Sequence, residues 1–150
     1  MTTFKQFALY FFFIGTAVMM ATGCQNAVAD TLINTSRLQQ NGLTRPWFTQ
    51  VQMDVGRDRV ETVTFDGEFL TVQTKHGIIQ TIDGETGDTV WVKNVGDPKL
   101  FTSSAGVGPN HTTVVNGSNL FIFDRKTGKQ IWNRRLAGGV IGGPGVSKDY

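Results

Sequence analysis

The chain is poor in the residues that build metal centres and disulfides, with one cysteine and two histidines in 150 residues. A lone cysteine excludes an internal disulfide. Neither His76 nor His111 has a second His, Cys or carboxylate at metal-ligand spacing, and we expect both to be exposed turn residues. Gly-x-Ser-x-Gly, His-Glu-x-x-His and phosphate-binding loop motifs are also missing. We therefore predict no catalytic, cofactor-binding or metal-binding residues.

Charge is the second scarcity of this sequence. Charged residues make up 17% of the chain, and the net charge of +2 is too small to indicate a nucleic-acid partner. Four basic residues do gather in a turn and on an outer strand, where a solvated edge explains them. These residues are Lys126, Lys129, Arg134 and Arg135. We predict no nucleic-acid partner.

A long apolar run occurs once, over residues 7–20, where 14 uncharged residues follow Lys5. This length is typical of the central region of a signal peptide and is short for a membrane span. We therefore predict that the protein is exported and that residues 1–23 are removed. An uncleaved membrane anchor over residues 7–24 is the alternative.

The single cysteine follows this run directly. Residues 21–24 read Ala-Thr-Gly-Cys, which resembles a bacterial lipobox, although Ala21 stands where Leu is usual. We predict lipidation of Cys24, followed by a polar tether over residues 24–42. A rival site for ordinary signal peptidase lies after Ala29, and cleavage there would release a soluble exported protein without Cys24.

Glycine, in contrast, is abundant, with 18 residues, and two of these belong to a repeated motif. The motif Asp-x-x-Thr-Gly-x-x-x-Trp occurs at residues 83–91 and again at residues 124–132, an offset of 41 residues. Its members are Asp83, Thr86, Gly87, Trp91, Asp124, Thr127, Gly128 and Trp132. A period of roughly 40 residues indicates a repeat architecture, and short β-branched and aromatic runs between Asp-Gly and Asn-Gly pairs select strands.

Each period is predicted to form one four-stranded antiparallel blade of a β-propeller, an all-β fold. Within the motif, Asp and Thr are expected to bond the N–H groups of a turn whose Gly adopts a positive φ. The Trp is expected to pack against the neighbouring blade. The predicted strands cover residues 58–65, 68–75, 78–83, 89–95, 103–107, 111–115, 119–124 and 130–136.

Partial repeats flank the two predicted blades. Trp47 lies in a segment that resembles an outer strand without its preceding turn, and we predict that it is the closing strand of a ring. Residues 142–150 repeat residues 103–111 and are expected to open a further hairpin. Closed propellers have four to eight blades, so residues 43–150 are predicted to be part of a larger ring, such as an eight-bladed one.

The motif resembles the PQQ-like β-propeller repeat, and the order of signal peptide, lipobox, tether and repeats resembles exported lipoproteins of the BamB type. The resemblance implies a non-enzymatic scaffold, without cofactors, that works at the outer membrane or its periplasmic face. It implies a protein partner at the membrane, such as a β-barrel assembly factor, and a role in outer-membrane protein assembly.

Two alternatives stay open within the same resemblance. Some members of the family are quinoprotein dehydrogenases that use pyrroloquinoline quinone and Ca²⁺, with a vicinal disulfide beside the quinone. Cys24 alone supplies no such disulfide. The other alternative is the extracellular sensor propeller of a larger receptor.

Overall fold

The structure is a computed structural model that describes residues 33–148. The predictions on the signal peptide, on Cys24 and on cleavage after Ala29 lie outside these residues. Helix α1, Thr35–Gln40, falls within the predicted tether, and the Asn34 side chain caps it by accepting a 2.8 Å hydrogen bond from the Ser36 N–H. The helix belongs to a first compact unit that ends at Thr44, and all strands belong to a second unit, Arg45–Tyr150.

Two four-stranded antiparallel sheets make up the second unit. In the first, which we call blade 1, strands follow one another in chain order through short turns. At the first turn, Gly67 has a φ of 97°, and the Asp66 carboxylate accepts hydrogen bonds from two following N–H groups. The strands are β1 Val60–Phe65, β2 Phe69–Thr74, β3 Ile78–Asp83 and β4 Thr89–Asn94.

The second sheet, blade 2, repeats this meander. Both blades carry a register shift at the same repeat position, between Thr81 and Ile82 in blade 1 and between Ile122 and Phe123 in blade 2. The repeat thus extends to a local irregularity of the third strand. The strands are β5 Gly106–Val107, β6 His111–Asn116, β7 Asn119–Asp124 and β8 Gln130–Arg135.

The predicted strands are confirmed, with end differences of one or two residues except at β5. That strand was expected over residues 103–107 and spans Gly106–Val107 only. The backbone of residues 103 and 105 instead bonds the Gln73 side chain of blade 1. A side-chain amide therefore ties this part of the chain to the neighbouring blade.

The two flanking segments are less regular than the blades. Residues 43–50, which contain Trp47, and residues 142–148 have no strand assignment in the described structure. The segment with Trp47 nevertheless lies against blade 1, and residues 144–147 lie against β5. The closing strand and the opening hairpin remain predictions.

The hydrophobic core lies between the two blades. It contains Ile79, Trp91 and Val95 from the first blade and its crossover, and Val114 and Phe123 from the second. The Trp91 and Phe123 ring centroids are 6.3 Å apart. Each such side chain contributes about 1.5–3 kcal/mol when fully buried, so apolar packing between blades holds the second unit together.

The chain is therefore an all-β protein built from β-propeller blades of four antiparallel strands. Within the described residues, no helix has the length and apolar character needed to span a bilayer.

Candidate functional site

The two signature turns have the same internal hydrogen bonds. Asp83 Oδ1 accepts from the N–H groups of Glu85 and Thr86, both at 2.9 Å. Asp124 Oδ1 accepts from the N–H groups of Lys126 at 3.1 Å and Thr127 at 2.8 Å. The second turn adds a 2.7 Å bond from the Thr127 hydroxyl. Each carboxylate thus holds its turn in one conformation.

The same bonds perturb both carboxyl groups. Those from the Thr86 and Glu85 N–H groups lower the pKa of Asp83 below its ordinary value of 3.8. Those from the Thr127 hydroxyl and N–H do the same to the pKa of Asp124. Hydrogen bonds to a charged carboxylate favour its ionised form, so the turns are stable when both groups are charged.

Each turn is also a docking site for an indole ring from the preceding part of the chain. Gly87 has a φ of 78°, and a Cβ atom there would lie 2.6 Å from Trp47 Cδ2. At Gly128, with a φ of 65°, it would lie 2.6 Å from Trp91 Cδ2. Only glycine leaves room for such contact.

A hydrogen bond completes each indole contact. Trp47 Nε1 donates to the Gly84 carbonyl at 3.0 Å, and Trp91 Nε1 donates to the Arg125 carbonyl at 2.7 Å. Gly84 and Arg125 both follow the Asp of their turn. Trp47 therefore meets blade 1 in the way that Trp91 meets blade 2.

Trp132, the third tryptophan of the series, occupies another setting. Its side chain is 43% exposed, whereas Trp91 is 7% exposed. It borders a cavity of about 790 Å³ on the outer face of blade 2. Part of the cavity wall is formed by residues 144–147. Within residues 33–148, no signature turn packs on Trp132.

Two fully buried glutamines of blade 1 bind backbone on opposite sides of the blade. Gln73 Nε2 donates to the Ser103 carbonyl at 2.7 Å, and its Oε1 accepts from the Ala105 N–H at 2.6 Å. Gln80 makes the same pair of bonds to residues 50–52, with distances of 3.3 and 2.8 Å. Each amide engages the C=O of one residue and the N–H two residues later, as a paired strand does.

Arg125 forms an ionic contact across the two blades. Its guanidinium lies 2.6 Å from Asp66 Oδ2 and 3.5 Å from Glu68 Oε2, and 4.9 Å from the centre of the Phe69 ring. Arg125 also donates to the Pro109 carbonyl at 3.1 Å. Burial raises the pKa of Asp66, but N–H bonds and the Arg125 charge outweigh it and leave the pKa below 3.8.

Asn116 fastens the crossover between the blades. Its side chain accepts from the Asp97 N–H at 2.9 Å and donates to the Asp97 carbonyl and the Thr102 hydroxyl. Gly96, with a φ of 69°, passes directly over this amide. The Asn-Gly pair predicted as a hairpin turn therefore has a second role, since its Asn fixes the crossover.

The histidines differ from the exposed turn residues that the sequence predicts. His76 lies in a turn, but its Nδ1 is 2.9 Å from Asp58 Oδ1, and the Asp58 side chain is 4% exposed. Burial raises the pKa of Asp58, yet hydrogen bonds from Thr74, Arg59 and His76 bring it below 3.8. His111 starts β6, is half-buried, and borders the cavity. Packing of the flanking segments covers both rings.

The described residues contain no group of three or more His, Cys, Asp or Glu side chains arranged to hold a metal ion. Sequence reasoning missed the inter-blade roles of Gln73, Gln80 and Arg125. A signal existed for the glutamines, since each replaces an apolar residue within a β-branched run. For Arg125 no local signal existed, because its partners lie on another blade.

Comparison with known proteins places this arrangement in a family. A family profile described as outer membrane protein assembly factor BamB matches residues 46–149. A search of curated proteins found no match.

Two solved structures share the repeat. The crystal structure of BamB from Moraxella catarrhalis has 22% sequence identity and a TM-score of 0.43, over 49% of this chain and 24% of that chain. A europium-containing methanol dehydrogenase has 18% identity and a TM-score of 0.41, over 49% of this chain and 15% of that one. The present chain thus spans about a quarter or less of these proteins. From the profile match over residues 46–149, the chain belongs to the PQQ-like β-propeller family of outer membrane protein assembly factor BamB.

Proposed function

We propose that the protein is an exported, lipid-anchored β-propeller scaffold with a BamB-like role in outer-membrane protein assembly. The observation that carries this proposal is the family match over residues 46–149, which covers both blades. The activity of the whole protein is part of the proposal, because this chain spans 24% of the BamB chain it resembles.

The contacts inside the blades support a scaffold. The signature aspartates and glycines, together with Trp47 and Trp91, are engaged in holding turns and joining blades. Side chains committed to packing in this way stabilise a rigid frame on which loops present a binding surface. A protein partner at the membrane is the ligand class that we propose for these loops.

Attachment to the membrane is the part of the proposal that depends on Cys24. Two chains, wild type and Cys24→Ser, would be expressed in a Gram-negative host that is fed a radiolabelled fatty acid. Label in the wild type alone, with loss of membrane association in the variant, supports the anchor. An N-terminus at Asp30 in the wild type contradicts it.

The role in assembly needs a separate test, because an anchored protein can have another function. In a Gram-negative host that lacks its own BamB, the chain is expected to copurify with the barrel assembly machinery and to raise outer-membrane porin levels. Absence of both effects from a folded, anchored protein contradicts the role. Dye-linked alcohol oxidation with bound quinone would instead identify a dehydrogenase.

A further inference from the structure

The chain contains one more tryptophan of the series than signature turns to receive it. Turn 83–87 receives Trp47, and turn 124–128 receives Trp91. Trp132 stands at the same strand position as Trp91, since the registers Thr81–Trp91 and Ile122–Trp132 are equivalent. Among the described residues its indole N–H has no hydrogen-bond partner, and 43% of the residue is exposed.

We propose that the outer face of blade 2 binds blade 1 of a second copy of this chain. In this contact Trp132 replaces Trp47 in turn 83–87 of the second copy. The association is head to tail, because a face at one end of the chain meets a different face at the other end. It requires residues 47–52 of the receiving copy to leave blade 1.

Exposed apolar side chains are present on both surfaces that would meet. Ile131 and Trp132 of blade 2 are 48% and 43% exposed, and Val63 and Phe65 of blade 1 are 55% and 61% exposed. The cavity of about 790 Å³ beside Trp132 offers space for a side chain from the second copy. Exposed apolar patches of this kind are typical of interaction surfaces.

Charge favours the same pairing. Turn 83–87 and the residue after it carry three carboxylates, whereas β8 and the turn before it are basic and exposed around Trp132. A positive surface thus meets a negative one, which favours association and makes it sensitive to salt. The carboxylates are Asp83, Glu85 and Asp88, and the exposed basic residues are Lys126, Lys129, Arg134 and Arg135.

The proposed contact also leaves no charge buried without a partner. Gly84 and Arg125 are equivalent, because their N–H groups donate to the carbonyls of Glu68 and Asn110 at the same place in each blade. The position equivalent to Asp66 is therefore Gly108. Where the two blades of one chain pair Arg125 with Asp66, two copies would bring two glycines together.

Replacement of each tryptophan tests the proposal by sedimentation velocity on the full chain in mild detergent. Trp132→Lys is expected to weaken self-association about tenfold or more, as at other aromatic anchors of interfaces. Trp47→Ala is expected to strengthen it, because turn 83–87 is then vacant. Added salt and Glu85→Lys should both weaken it.

Two controls separate this effect from misfolding. Ile141→Lys changes a residue that is 97% exposed and away from the proposed contact, and it should leave association unchanged. Trp132→Lys alters an exposed side chain, so its circular dichroism spectrum should match the wild type. Monomeric wild type and Trp47→Ala chains at every concentration would overturn the proposal, and so would undiminished association of Trp132→Lys.

Discussion

Two glycines with positive φ separate backbone conformation from side-chain contact. Gly67 and Gly128 have φ values of 97° and 65°, but a Cβ atom at Gly67 has nothing within 4 Å, whereas at Gly128 it meets the Trp91 ring. Both positions carry the cost of a positive φ for alanine, about 1 kcal/mol. Only Gly128 adds a clash with a buried side chain.

We predict that Gly128→Ala lowers the free energy of unfolding by about 2–4 kcal/mol, the sum of this strain and the overpacking of a core aromatic. Gly67→Ala is the matched control and should cost about 1 kcal/mol. Urea unfolding followed by Trp fluorescence measures both. Equal losses in the two variants would show that the indole contact does not restrict residue 128.

Individual side chains were predictable from the sequence where their partners are local. The carboxylates Asp83 and Asp124 bond N–H groups two and three residues ahead, so the motif itself indicates the turn. Gln73 and Arg125 bind groups 30 and 59 residues away. No periodicity reports a contact of that kind, and polar residues within a strand are ordinarily placed on the solvent face.

At the scale of elements, the strands followed from alternation and turn chemistry, and the flanking segments did not. Residues 43–50 resemble β4 in sequence but have no strand assignment. A strand requires a hydrogen-bonded neighbour as well as suitable residues. The Gln80 amide and the Trp47 indole are the partners that hold this segment instead.

The two buried glutamines make separate predictions for the segments that they bind. Gln80→Leu leaves the Gln52 N–H and the Gln50 carbonyl unbonded, and Gln73→Leu does the same at Ala105 and Ser103. An unsatisfied buried group costs about 1–3 kcal/mol.

Hydrogen exchange read by mass spectrometry should therefore rise over residues 50–52 in the first variant and over residues 103–105 in the second. Each variant is the control for the other. A general rise along both blades in either variant would mean that the amide supports the whole unit rather than one segment.

The whole second unit is expected to be sensitive to acid. Asp58, Asp66, Asp83 and Asp124 all have pKa values below 3.8 in the folded protein. The unfolded state therefore binds more protons at low pH, and the stability that these groups provide is present above about pH 4. It is lost as the pH falls through the lowered values.

We predict that the free energy of unfolding falls steeply below about pH 4. In Asp66→Asn the fall should be shallower, because this group no longer titrates, and stability at neutral pH should be lower because Arg125 loses its 2.6 Å partner. Urea unfolding over a pH series measures both effects. An Asp66→Asn curve parallel to that of the wild type would show that Asp66 has its ordinary pKa in the folded state.

The ion pair between blades also bears on the order in which the chain folds. Arg125 belongs to blade 2 and is 8% exposed, while its carboxylate partners Asp66 and Glu68 belong to blade 1. A guanidinium is costly to bury until a counter-charge is in place, and synthesis delivers the N-terminal blade first. Blade 1 thus acts as the template on which blade 2 condenses, and the propeller grows from its N-terminal end.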